Sequence, residues 1–299
     1  MRRMRVSVGD VDLYVHERGE GRPLLALHGG PGLDGSVWFP GLDRVVEHGY
    51  RVLAPDQRGN GRSDAGDPVR WTVPQMADDV EALIRALALD DVVVIGWSFG
   101  SFVAQSHMAR HGTASAYVLM GTIAEPAALA NVEHELATFE PESLRAQVAA
   151  SWALEATVET PEQAKQLMAD QIPFHVADPT GPLVAELVAA DRVVYRPDVL
   201  RHFAAGGEYG MLDLRHELQR VTVPTLVLSG ARDRTTPAAS AHELTAFLPH
   251  CEEIVLRDCA HMIPYEQPDA FVAALTGFLE RHRAGPEGRA PQVRQDVTT

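Results

Sequence analysis

Five apolar runs recur along the chain without alternation, at residues 23–27, 51–54, 92–95, 116–120 and 225–228. Runs of four or five residues with no polar side suit strands covered on both faces, as in a parallel sheet. Ahead of them, residues 5–8 and 11–17 read as two strands joined at Gly9-Asp10, which predicts an opening hairpin. Between the runs the period changes to that of a helix. After Thr72, the residues Met76, Val80, Leu83, Ile84 and Leu87 fall on one face, and Thr72 with Gln75 has the spacing of a capping box. Strand alternating with helix predicts an α/β fold with a mostly parallel, doubly wound sheet.

The alternation stops over residues 123–217. Segments 142–156 and 161–169 are rich in Ala and Glu and read as helices, with no strand pattern between them. The expected organisation is a core of residues 1–122 and 218–283, interrupted by a helical cap insertion at 123–217. Residues 284–299, rich in Pro, Gly and polar side chains, have little to bury and are expected to be disordered.

Composition narrows the function without naming it. The chain has 299 residues, 45% apolar and 22% charged, which is ordinary for a globular protein. No apolar run approaches the roughly 20 residues that cross a bilayer. The basic N-terminus continues into strand-like alternation rather than the apolar stretch of a secretory signal, so a cytoplasmic location is expected. A formal charge of −15 repels polyphosphates and anionic lipid, so neither nucleic acid nor membrane is an expected partner. Cys251 and Cys259 flank a predicted strand at 253–256, too far apart for a disulfide if extended, and read as reduced thiols. Nothing in the sequence fixes the oligomeric state.

The chemistry begins at Gly96-Trp97-Ser98-Phe99-Gly100, between the run 92–95 and a helix-compatible stretch closed by Gly112. Three fixed positions in five recur by chance, but strand, sharp turn and helix are the setting in which such a serine is held above a sheet edge. A serine hydroxyl is a poor nucleophile at neutral pH, so a base must take its proton and a third group must hold the base. Asp233 lies just past the run 225–228. His261 follows strand-like 253–256 through a short loop and is the one histidine of thirteen in such a place. Asp233 taken alone reads equally as a turn aspartate, and His261 alone as a surface histidine; the chain order Ser, Asp, His is the joint signal. His28-Gly29-Gly30-Pro31-Gly32 ends the first run, where the Gly30 N–H with the Phe99 amide is suited to hold an oxyanion. There is no Walker lysine, Lys165 being the single lysine, so no nucleotide is expected, and acyl-enzyme chemistry on a serine implies no metal or other cofactor.

On these residues the chain resembles the α/β-hydrolase fold, and within it the proline iminopeptidase-like branch. The His-Gly-Gly-Pro-Gly loop at 28–32 and Asp56-Gln57-Arg58-Gly59-Asn60-Gly61-Arg62-Ser63 carry the likeness, which spans roughly residues 23–121 and 223–279. It implies Ser98 as nucleophile, Asp233 and His261 as its partners, and Gly30 with Phe99 as oxyanion donors. The elbow departs from that branch, which usually carries Gly-Gly-Ser-Trp-Gly. Arg58 and Arg62 are expected to support the fold rather than the substrate.

Three functions remain open, each with a small molecule or short peptide as partner, and the resemblance puts a proline iminopeptidase-like aminopeptidase first. An aminopeptidase must hold a free ammonium, for which Glu155, beside Trp152, and Glu208 are candidates. A carboxylesterase or lactonase would use the same acyl-enzyme route, with Trp97, Phe99, Trp152, Phe174 or Phe203 as candidates around an apolar acyl group, although each of these aromatics taken alone reads first as core. A ligand sensor on the same fold, with slow turnover, is the third.

Overall fold

A computed structural model describes residues 2–39, 41–190, 192–206 and 213–283. The chain enters as the expected hairpin, β1 (Arg2–Ser7) antiparallel to β2 (Asp12–Arg18) with Arg5 opposite Tyr14. Its turn closes with the Val8 N–H on the Val11 carbonyl at 3.0 Å. Among the described residues six more strands follow: β3 (Arg22–Leu27), β4 (Tyr50–Pro55), β5 (Val93–Trp97), β6 (Ala116–Met120), β7 (Thr225–Gly230) and β8 (Cys251–Leu256). They form one sheet in the order β1-β2-β4-β3-β5-β6-β7-β8, parallel from β4 to β8 and antiparallel where β2 meets β1 and β4.

The unbroken apolar runs are explained by what covers each face. On one face Leu25, Leu27, Val94, Tyr117, Leu119 and Val227 join a core with helices α2 (Val73–Ala86) and α3 (Phe99–Arg110), α1 (Asp43–Val46) lying opposite. On the other, Leu24, Ala26, Val93, Ile95, Val118, Met120 and Leu226 pack against Val45 of α1 and Trp38 of the turn before it, together with Phe271, Leu275 and Phe278 of a later helix. Alternate residues of each strand thus serve different cores, and the sheet needs apolar side chains at every position.

Helix α2 follows its sequence pattern: Met76, Val80, Leu83 and Ile84 are buried, and Thr72 caps it by accepting the Gln75 N–H at 3.2 Å. The capping box is only half formed. The Gln75 side chain turns instead to Asp79 and Arg70, charged groups that outcompete a backbone amide. Arg58 is fully buried and supports the fold as expected, forking onto Asp79 at 2.7 Å and onto Asp10 at 2.9 Å.

Between β6 and β7 every described element is helical: α4 (Asn131–Thr138), α5 (Glu142–Leu154), α6 (Pro161–His175), α7 (Pro182–Ala189), α8 (Pro197–Gly206) and α9 (Arg215–Leu218). Helix α6 runs six residues past the predicted 161–169, through Pro173. After β7 comes α10 (Ala238–Thr245), and after β8 come α11 (Ile263–Glu266) and α12 (Pro268–Arg281). Glu208 and the tail 284–299 lie outside the described residues. Both cysteines are free thiols, and among the described residues no helix is long and apolar enough to cross a membrane.

Candidate active site

Ser98 stands where β5 turns into α3, at φ 54° and ψ −120°, a region that L residues enter at a cost of about 1–3 kcal/mol. The turn is over-determined by its surroundings. The Ser98 N–H donates to the Met120 carbonyl at 2.8 Å, anchoring the elbow to β6. A Cβ on Gly96 would strike the Gly100 carbonyl, and one on Gly100 would strike the carbonyl of Leu27. The three fixed positions of the motif therefore have steric causes: two glycines where backbone meets backbone, and a strained serine between them.

Asp233 and His261 come together from the loops after β7 and β8. The His261 Nδ1 donates to Asp233 Oδ2 at 2.7 Å, and both side chains are buried. The other lone pairs of Asp233 accept the Thr235 and Thr236 amides at 2.9 Å and the Thr236 hydroxyl at 2.7 Å. Burial alone would raise this carboxyl, but the charge and hydrogen bond of His261 and the Thr236 donors outweigh it and hold it below the usual carboxylate value. The His261 loop is braced on both sides: Glu266 accepts the Ala260 N–H at 2.9 Å and the Met262 N–H at 3.1 Å, and the Trp97 indole donates to the His261 carbonyl at 3.0 Å.

The glycine loop after β3 is set by the Asp56–Ser63 segment. His28 donates from Nδ1 to the Gly29 carbonyl at 2.7 Å and accepts the Gln57 N–H on Nε2 at 3.1 Å, a single neutral tautomer that burial favours. Asn60 accepts the Gly32 N–H at 2.8 Å. Gly29 passes so close to the elbow that a Cβ there would sit 3.4 Å from the Ser98 Cβ. The Phe99 amide belongs to the first turn of α3, where N–H groups have no partner inside the helix.

Ser98, His261, Gly29, Gly30 and Trp97 line one cavity of about 980 Å³, roofed by the helices between β6 and β7. Trp152 and Glu155 line it as well. Most other lining groups there are apolar, among them Phe102, Leu136, Ile172 and Leu200. Burial raises the Glu155 carboxyl above its ordinary value, and its partner is the Gln171 amide at 2.8 Å rather than a cation. Three of the aromatics named as acyl-pocket candidates lie in cores instead. Phe99 packs edge-on to Phe203 in the core with α2 and α3, and Phe174 is fully buried beside Phe139, because their rings complete cores beneath the cavity wall.

Residues that sequence reasoning missed include Thr235 and Thr236, whose only signal was adjacency to Asp233, together with Glu266 and His175. His16, Asp34 and Asp56 bring ligand-type atoms within 4.8 Å of one another, the makeup of a metal group. Their atoms are engaged internally: Asp56 with His16 and the amides of Gly35 and Arg62, and Asp34 with Arg62 and the amides of Ser36 and Val194. Arg62 thus supports the fold as expected, although it also borders the cavity.

Against known proteins, the family model described as the alpha/beta hydrolase fold matches residues 22–268. A proline iminopeptidase of Levilactobacillus brevis is 29% identical over 272 residues, covering 87% of this chain and 89% of that protein. A pimeloyl-[acyl-carrier protein] methyl ester esterase of Vibrio atlanticus is also 29% identical over 272 residues, covering 90% and 98%. Among solved structures, a thermophilic esterase from Thermogutta terrifontis superposes with a TM-score of 0.71 at 24% identity, covering 95% of this chain and 100% of that one.

Proposed function

This chain belongs to the α/β-hydrolase fold family, and on that premise we propose that it is a serine hydrolase that opens small esters through an acyl-enzyme on Ser98. The observation that carries this reading is the buried Asp233–His261 pair, 2.7 Å apart, opening onto the same cavity as a serine held at φ 54°. With Nδ1 committed to Asp233, the His261 Nε2 is the nitrogen that takes the Ser98 proton as Oγ attacks the carbonyl carbon. Asp233 then balances the imidazolium. The Gly30 and Phe99 N–H groups stabilise the oxyanion. His261 returns the proton to the leaving alkoxide, and the same steps with water as nucleophile release the acid.

The lining supports an ester ahead of an N-terminal amide. An ammonium in a largely apolar cavity needs concentrated negative charge. The lining instead carries Arg3, Arg18, Arg62, Lys165 and Arg192 against Asp43, Glu133 and Glu155. Read as a cap, the helical insertion at 123–217 supplies Trp152 and Ile172 to an apolar acyl group. The aminopeptidase reading keeps one specific support, the Glu155 carboxyl facing the cavity with only an amide partner.

Short acyl nitrophenyl esters and lactones, run beside prolyl and alanyl arylamides with wild type and Ser98→Ala, test the assignment. Ester turnover that disappears in Ser98→Ala is the expected result. Turnover confined to arylamides with free amino groups would make the protein an aminopeptidase. Binding without turnover of any class would leave a ligand sensor.

A further inference from the structure

The end of α6 and the two loops that carry Asp233 and His261 are tied together at five points. The His175 carbonyl accepts the His261 N–H at 3.0 Å. The His175 Nδ1 meets the Thr235 Oγ1 at 3.0 Å, beside Asp233. Arg234 donates to the carbonyls of Phe174 at 3.1 Å and Val176 at 2.9 Å. Glu266, which braces the His261 loop, also accepts the Ala177 N–H at 2.6 Å. Four consecutive residues from the helical insertion, 174–177, are thereby built into the loops beneath them.

Within that unit the His175 ring lies over the His261 ring, with centroids 5.2 Å apart and planes 37° from parallel. Trp152 and Phe174 stand at 6.0 Å on the insertion side, so the His175 ring is boxed between them and the triad loops. We propose that His175 is a positioning residue for His261: its ring face fixes the plane of the base so that Nε2 stays aimed at Ser98 as the base gains and loses its proton. The inference rests on the reading of His261 as the base of a serine hydrolase.

The surroundings suit a ring that stays neutral while its neighbour titrates. Burial, with the charges of His261 and Arg234, pushes the His175 imidazole down to about 3, against the opposing pull of Asp233. It therefore presents a π-face and not a second cation to the imidazolium of His261, an arrangement that attracts a flat cation. A charged side chain at the same place would repel it.

The test is the rate at which a small fluorophosphonate modifies Ser98, in which Ser98 Oγ bonds to phosphorus and fluoride departs. This needs the base and the oxyanion donors but little of the cavity. Displacing the base by an ångström should slow His175→Ala by about ten- to a hundredfold. The turnover number for an ester should fall by a similar factor with KM unchanged. His175→Phe, which keeps the ring face but loses the Thr235 contact, should recover most of the loss. His175→Asn, which keeps a partner for Thr235 but loses the face, should not, and this pair decides the matter if the alanine variant does not fold. Wild-type labelling rates in His175→Ala and His175→Asn, or a loss borne by KM alone, would overturn the proposal while leaving Ser98 as nucleophile. Failure of wild type to label at Ser98 would instead remove the hydrolase reading, and this inference with it.

Discussion

Asp233 holds His261 through a carboxylate oxygen that also accepts the Thr236 hydroxyl, at 2.7 Å in each case. The second oxygen takes two amides, so all of the acid's hydrogen-bonding capacity is spent on geometry. An Asp233→Asn variant keeps the shape but offers an amide where Nδ1–H needs an acceptor, which favours the wrong tautomer of His261. Its turnover of a nitrophenyl ester should fall by about 10⁴-fold with the fold intact, a loss that steady-state rates and circular dichroism check together. A loss of less than tenfold would mean that Asp233 does not set the tautomer.

Ser98 is a strained position, one of three described non-glycine residues at positive φ, and its strain is separable from the chemistry. Glycine enters φ 54°, ψ −120° without a Cβ penalty, whereas alanine does not. Ser98→Gly should be inactive yet more stable than Ser98→Ala by about 1 kcal/mol, measured by denaturant unfolding. Equal stability of the two variants would show that the elbow carries no strain.

Glu155 predicts a stability effect with a definite sign. Burial raises its carboxyl above the ordinary 4.5, opposed by the Gln171 hydrogen bond. Its contribution is therefore favourable below 4.5 and is lost as pH rises through the higher folded value, because the unfolded chain releases the proton first. Glu155→Gln should melt higher than wild type at neutral pH, and the difference should vanish under acid conditions. A variant that melts lower at neutral pH would place a compensating cation near Glu155.

Arg58 is fully buried and carries four hydrogen bonds to Asp79 and Asp10. Arg58→Ala would leave Asp79 buried without its counter-charge and should cost about 3–5 kcal/mol in urea unfolding. Turnover of the remaining folded fraction should change little, since the guanidinium points away from the cavity into α2.

How far the sequence carried the argument depends on how local each signal is. The strands were legible because sheet residues covered on both faces must be apolar at every position, and Val93 and Val94 obey this although they serve opposite cores. The elbow was legible because Gly96 and Gly100 answer to backbone atoms a few residues away or on the neighbouring strand. Helix α6 was cut short at residue 169 because its last turn contains Pro173, a helix breaker by local rule that tertiary packing overrides here. Phe99, Phe174 and Phe203 lie in cores, the reading each has when taken alone, and sequence could not sort them from Trp97 and Trp152 because an aromatic next to chemistry looks the same whether it faces a cavity or a core. His175 left no trace at all. Its significance comes from contacts with Thr235 and His261, 60 or more positions along the chain, and no periodicity encodes those.

The order of elements places Ser98, the proposed nucleophile, before the helices between β6 and β7, and Asp233 and His261, its proposed acid and base, after them. During synthesis the elbow emerges on β5 long before β7 and β8 exist to bring Asp233 and His261 beside it. On the proposed reading the nascent chain would leave esters untouched until its last strands dock, and hydrolysis would report that the sheet has closed. A cut in the loops between β6 and β7 would part Ser98 from Asp233 and His261, so that on the proposed reading neither piece would be active alone. Brought together on two interacting proteins, such halves would turn reassembly of the sheet into a measurable signal.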